Sequence, residues 1–421
     1  MDLLLTNIGL LATPIGTTAR KGREQREIAL IPDAVVGIRN GRIGFVGKRG
    51  DTCEASLSLD CGGRLVTPGL VDSHTHLAFG GWRQNELALK LEGASYLDIL
   101  KAGGGILSTV EHTRTASEDE LVEKTRALLS EMFCHGVTTC EAKSGYGLST
   151  ADELKQLRVI RSLNEVSPVS IVPTFMGAHA IPQEFAGNRG GYIELLIDEI
   201  LPAVSRENLA EFCDVFCESA VFTREESRRI LLEAASHGLA LKAHADEIEP
   251  GGGAEMAAAV GAVSAEHLIE TSDEGIRALA DKNVIAVLLP ATSFYLDKPY
   301  ARARNMVDAG VAVAVATDFN PGSCPCSNIQ FAMNLACLKY KLSPAEALTA
   351  VTLNGAAAIN RAKLCGSIEV GKQADLVIWN APDLEYIFYR CGSNLVHNVI
   401  KNGKELLICL SSGTLRLLST M

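Results

Sequence analysis

Two histidines one residue apart, His74 and His76, follow the apolar run Leu65-Val66-Thr67-Pro68-Gly69-Leu70-Val71 and Asp72. Residues two apart on an extended strand share a face, so both imidazoles can converge on one point. Two imidazoles presented together make half of a metal site. A lone His-x-His is usually an ordinary strand end, and the pair gains weight only if the chain brings further ligands to it. His244 and Asp318 supply them. With His74 and His76 they offer three nitrogens and a carboxylate oxygen, a set suited to one divalent or trivalent ion, zinc or iron, with a position left for water.

Residues so far apart in sequence can meet only if the fold gathers them. Between residues 65 and 364 apolar strands alternate with helical patterns, the signature of a parallel α/β fold. The expected strands are Leu65–Asp72, Val137–Ala142, Ser170–Met176, Asp214–Cys217, Ala240–Ala243, Ala262–Ala265, Val284–Leu289 and Val311–Ala316. Eight is the number that closes a (β/α)8 TIM-like barrel, whose chemistry sits at the C-terminal strand ends. Those ends hold His74 and His76, Lys143 with Tyr146, His179, Glu218, His244 with Glu247, His267, and Asp318 with Asn320. Packing alone gives no reason for nearly every strand to end in a polar or titratable side chain. The segment after the first strand, with Arg83 and Gly103-Gly104-Gly105, is longer than an ordinary βα connection and reads as functional.

The two ends of the chain have a different flavour. Short β-like runs and an Asn40-Gly41 hairpin turn mark residues 1–64, and similar runs return near Ala374–Trp379 and Val399–Gly403. We expect residues 1–64 and 365–421 to form one small β-sandwich domain beside a barrel of residues 65–364.

Composition narrows the partners. A formal net charge of -11 opposes nucleic-acid and anionic-membrane surfaces, so a small anionic substrate needs a local cation, and Arg83 is the candidate. No apolar run approaches a membrane span. The twelve cysteines include no Cys-x-x-Cys pair, which fits reduced core thiols and a cytoplasmic location. The apolar start carries Asp2 and no basic region, and reads as a strand rather than a signal peptide. A second copy of the chain, as a homodimer, is the one macromolecular partner to expect.

Taken together, Pro68-Gly69-x-x-Asp72-x-His74-x-His76, the later His244 and the Thr317-Asp318 strand end resemble the amidohydrolase superfamily. Finer likenesses lie in Glu86 with Gly93-Ala94-Ser95-Tyr96, Gly103-Gly104-Gly105-Ile106 and Lys143-Ser144-Gly145-Tyr146-Gly147-Leu148. They continue in Gly177-Ala178-His179, His244-Ala245-Asp246-Glu247 and Asp318-Phe319-Asn320-Pro321-Gly322. The resemblance implies hydrolysis of the cyclic amide 4-imidazolone-5-propanoate to N-formimidoyl-L-glutamate in histidine degradation. It implies Glu247 and Asp318 in proton transfer and His267 as the group polarising the ring carbonyl. It places the propionate on Arg83, with Tyr146, His179, Asn320, Gly322 and Ser323 as further contacts. Lys143 is expected unmodified beside a single metal, Asp72 and Thr317 support the ligands, and Glu218 is a supporting carboxylate. Another cyclic-amide or deaminating amidohydrolase would share the metal residues and differ in the substrate contacts. A non-enzymatic barrel relative would be expected to have lost ligands that are present here.

Overall fold

A computed structural model describes residues 1–51, 53–93 and 104–406 of the chain. Five strands come first: β1 (Leu3–Pro14), β2 (Ile28–Arg39), β3 (Arg42–Lys48), β4 (Leu57–Asp60) and β5 (Leu65–Pro68). Eight follow at intervals filled by helices. They are β6 (Leu70–Asp72), β7 (Val137–Lys143), β8 (Ser170–Ala178), β9 (Phe212–Cys217), β10 (Ala240–Ala245), β11 (Ser264–His267), β12 (Ile285–Leu288) and β13 (Val313–Val315). Three more, β14 (Leu376–Trp379), β15 (Val396–Lys401) and β16 (Lys404–Leu406), end the described chain.

Strands β6 to β13 lie side by side in sequence order, and the paired neighbours are parallel. The two edges meet just beyond the ends of β6 and β13. Thr75 bridges Phe319, the His76 N–H donates to the Phe319 carbonyl at 2.9 Å, and the Asp318 N–H donates to the His74 carbonyl at 3.1 Å. Asp72 accepts both the N–H and the hydroxyl of Thr317, at 3.0 and 2.6 Å. The residues that close the (β/α)8 barrel are therefore the ones read as ligands and their supports.

Period-two alternation sorts the barrel side chains. On β7, Cys140 and Ala142 join the large core under the helices, while Glu141 and Lys143 take the other face. On β10, Leu241, Ala243 and Ala245 pack outward, leaving Lys242 and His244 inside. The covering helices begin where their sequences say they should. Ser117 with Glu120, Thr223 with Glu226 and Ser343 with Glu346 each form a reciprocal capping box.

The chain ends meet in a second sheet, in the order β16-β15-β14-β5-β1-β2-β3 with β4 beside β1. Asn40 and Gly41 turn the β2–β3 hairpin with φ of 51° and 71°, the two left-handed residues of a tight hairpin turn. The sheet curls until the Ala374 N–H reaches the Gly41 carbonyl at 2.9 Å, enclosing Leu5, Ile8, Val36, Ile38, Leu376 and Ile400. One expected strand is divided. Leu65–Asp72 breaks at Gly69, so Leu65–Pro68 belongs to this sheet and only Leu70–Asp72 to the barrel. Gly69 sits at the crossing, where a Cβ would lie 2.3 Å from the Thr138 hydroxyl. Among the described residues no helix is long and apolar enough to cross a membrane.

Candidate metal centre and active site

His74 and His76 follow β6, His244 lies on β10, and Asp318 comes three residues after β13. One ring nitrogen from each of His74, His76 and His244 falls within a 4.8 Å group, and His74, His267 and Asp318 form a second group of the same size. Asp318 Oδ1 is 3.4 Å from His74 Nε2 and 3.6 Å from His76 Nε2. The His74 and His244 rings stand 4.6 Å apart. Burial, reinforced by neighbouring positive groups, holds His74, His76 and His267 well below the usual imidazole range, so they are neutral. The Nε2 atoms of His74 and His244 are buried with no hydrogen-bond partner among the described residues. Unpartnered nitrogen lone pairs beside a carboxylate oxygen fit a divalent cation.

Beneath the cluster lies a layer of buried charge. Lys143 Nζ is 2.7 Å from both Glu141 and Asp214, and Lys242 Nζ is 2.8 Å from Glu141 and 3.5 Å from Glu266. Glu266 Oε2 meets His74 Nδ1 at 2.8 Å, and Asp214 Oδ2 lies 3.1 Å from His244 Nδ1. Each carboxylate favours a proton on Nδ1 and so leaves Nε2 free to bind. Burial disfavours charge on His244, but Asp214 beside it raises the ring above its ordinary value. Burial also disfavours charge on Lys143, yet Asp214 and Glu141 outweigh it and keep the ammonium. Its ammonium is paired to two carboxylates.

Asp214, Glu141, Lys242 and Glu266 were not among the sequence candidates. For three of them a signal was present, a charged residue two positions from another polar one, in Glu141-Ala142-Lys143, Lys242-Ala243-His244 and Ser264-Ala265-Glu266; Asp214 lies between Phe212 and Phe216 and had none. Attention to strand ends passed over them.

Glu247 stands 3.5 Å from His267 Nε2, and burial, with Asp318 nearby, pushes its carboxyl up to about 8. Glu218 fixes that segment by accepting the N–H groups of Glu247 and Ile248 at 2.7 and 3.0 Å. His179 stacks on His76, with centroids 5.0 Å apart, and its Nδ1 lies 3.0 Å from the Gly145 carbonyl. Burial, with His244 nearby, lowers it to about 3. Tyr146 is buried 5.2 Å from the His179 ring.

Arg83 is gripped along one edge by Glu86, with Nε to Oε1 at 2.8 Å and Nη2 to Oε2 at 3.0 Å. That leaves the Nη1 edge for another anion. Gly322 packs against this edge, where a Cβ would lie 2.1 Å from Nη1. Asn320 directs its amide into its own loop. Its oxygen accepts the N–H groups of Gly322 and Ser323 at 2.8 and 2.7 Å, and its nitrogen donates to the Asp318 carbonyl at 2.7 Å and the Ser323 hydroxyl at 2.9 Å. The expected motif residues Ala94-Ser95-Tyr96 and Gly103 lie outside the described residues, as does the tail from Leu407.

A model of the amidohydrolase family matches residues 65–406. The chain is 52% identical over 413 residues to the imidazolonepropionase of Alkaliphilus metalliredigens, covering 96% of this chain and 97% of that one. It is 50% identical over 401 residues to the imidazolonepropionase of Thermoanaerobacter pseudethanolicus, covering 95% and 97%. The chain belongs to the imidazolonepropionase family of amidohydrolases. It is a hydrolase. Solved structures share the fold at lower identity. An adenosine deaminase from Xanthomonas campestris with bound zinc has a TM-score of 0.68 at 20% identity, covering 100% of this chain and 94% of that one. An atrazine chlorohydrolase from Arthrobacter aurescens TC1 complexed with zinc has a TM-score of 0.71 at 20% identity, covering 96% and 95%.

Proposed function

We infer that the protein hydrolyses 4-imidazolone-5-propanoate to N-formimidoyl-L-glutamate in histidine degradation. The observation that carries this reading is identity of half or more with imidazolonepropionases across nearly the whole chain. In this reading His74, His76, His244 and Asp318 hold one zinc or iron ion. When bound, such an ion lowers the pKa of a water toward ~7.

The remaining chemistry falls to side chains. Hydrolysis adds a water O–H to the ring carbonyl carbon and returns a proton to the departing ring nitrogen. Asp318 and Glu247 are the carboxylates assigned to that transfer. The raised pKa of Glu247 supports this, since a group that holds its proton near neutral pH can both give and take one. His267, neutral and beside Glu247, is the assigned donor to the carbonyl oxygen. Arg83, oriented by Glu86, is the assigned partner of the propionate. Tyr146, His179, Gly322 and Ser323 complete the proposed substrate surface. Asn320 is assigned to shaping the loop that carries Gly322 and Ser323, because its amide is already engaged there.

The test is an imidazolonepropionate hydrolysis assay on purified protein, with the metal quantified in the same preparation. Turnover with about one zinc or iron per chain is expected, and loss of turnover in Asp318→Ala. Retained activity in that variant would reject the metal-centred mechanism. Turnover of an amino-purine or triazine in place of the imidazolone would move the protein to a different branch of the superfamily.

A further inference from the structure

We propose that Thr292 is a positioning residue that sets which oxygen of Asp318 faces the imidazole cluster. Strand β12 is the barrel strand whose end showed no titratable or polar candidate in the sequence. Its contribution comes slightly later. The chain passes through Leu289 into the short helix Pro290–Tyr295, begun by a proline whose missing N–H costs nothing in a first helical turn. Ala291 packs with buried Cys324 and Leu335, which anchors this turn against the loop that follows Asp318.

Thr292 is 1% exposed, and its hydroxyl donates to Asp318 Oδ2 at 2.6 Å. The other oxygen, Oδ1, is the one near His74 and His76. The Asp318 backbone is already fixed in the left-handed region, at φ 56°, by the His74 carbonyl on its N–H and by the Asn320 amide on its own carbonyl. Rotation of the side chain about Cα–Cβ and Cβ–Cγ is the freedom that remains. A hydroxyl bonded to Oδ2 removes it, so that Oδ1 alone is turned toward the imidazoles.

This inference rests on reading the cluster as a metal centre. The experiment compares the parent with Thr292→Val, which keeps the shape and loses the hydroxyl, and Thr292→Ser, which keeps the hydroxyl. Zinc affinity is measured by chelator competition, alongside thermal melting and steady-state kinetics. We expect Thr292→Val to bind zinc about 10- to 100-fold more weakly. We expect kcat to fall on a similar scale, with KM within about threefold of the parent. Thr292→Ser is expected to restore both to within about threefold. Valine and serine variants with parental zinc affinity and kcat would overturn the proposal. So would a serine variant as impaired as the valine one, which would show that the methyl packing matters and the hydroxyl does not. A parent that takes up no zinc or iron at all would overturn the metal reading itself, and the proposal with it.

Discussion

Glu266 lies beneath the imidazole cluster, yet it governs what His74 can offer there. Its carboxylate at 2.8 Å favours the proton on Nδ1, which leaves the Nε2 lone pair for the site that Asp318 and His76 also face. Glu266→Gln keeps the shape but can turn an N–H toward Nδ1 and so favour the opposite tautomer. We expect metal affinity to fall about 10- to 100-fold. The fold should survive, because Lys242 keeps Glu141 at 2.8 Å. An unchanged metal dissociation constant would show that the tautomer is set elsewhere. In the proposed reading Arg83 acts on substrate and not on metal. Arg83→Ala should raise KM about 10- to 150-fold, the range of one lost charge-assisted hydrogen bond, at constant metal content. Parental kinetics would remove Arg83 from the site. At this scale the sequence was readable wherever a polar side chain sat at a strand end. It was least readable where the group lay within a strand, as with Glu141 and Lys242, or past a connecting turn, as with Thr292.

Elements decide what those residues can reach. The loop from Asn320 to Cys324 and the short helix Glu86–Leu91 meet across Gly322, whose carbonyl also accepts Lys90 Nζ at 3.1 Å. A methyl group at Gly322 would collide with the end of the Arg83 side chain and not with backbone. Gly322→Ala should therefore leave stability within about 1 kcal/mol of the parent, since a flexible side chain can give way. It should nevertheless raise KM, because Arg83 must swing off the edge it presents. A large drop in melting temperature with unaltered KM would contradict this packing. The eight barrel strands were legible because most centre on a short apolar or small-residue run and because they alternate with helical patterns, although β7, β10 and β11 carry charged residues inside them. The division of Leu65–Asp72 at Gly69 did have a local signal, the Pro68-Gly69 pair, but such a pair does not by itself say that the two halves join different sheets. The sheet each half joins is decided by distant partners, β14 for Leu65–Pro68 and β7 for Leu70–Asp72. That both chain ends share a sheet was suggested only by their similar composition, and antiparallel pairing of β14 with β5 realises it.

The whole molecule has a seam, and the proposed metal site lies on it. First and last barrel strands are joined through Asp72 with Thr317, His74 with Asp318, and His76 with Phe319. An ion gripped by His74, His76 and Asp318 would clamp both sides of that seam, and His244 would tie it to β10 on the barrel wall. An ion that binds the closed barrel and not the unfolded chain stabilises the fold by mass action, so its removal is expected to lower stability. At a free concentration ~1,000 times the dissociation constant the difference is about 4 kcal/mol. Spread over the unfolding entropy of a chain this long, that is on the order of 5 °C in Tm if the chain melts as one unit. The distribution of the loss is the sharper test. Hydrogen exchange at the His76 and Asp318 amides should accelerate most on chelation, with the barrel strands next to them following. The chain-end sheet, whose core of Leu5, Val36, Leu376 and Ile400 lies apart from the ligands, should keep its protection. Uniform loss of protection through both sheets would mean that the ion stabilises the molecule as a single block. Unchanged exchange at His76 and Asp318 would mean that the seam holds by its own hydrogen bonds, and that the ion serves only the chemistry.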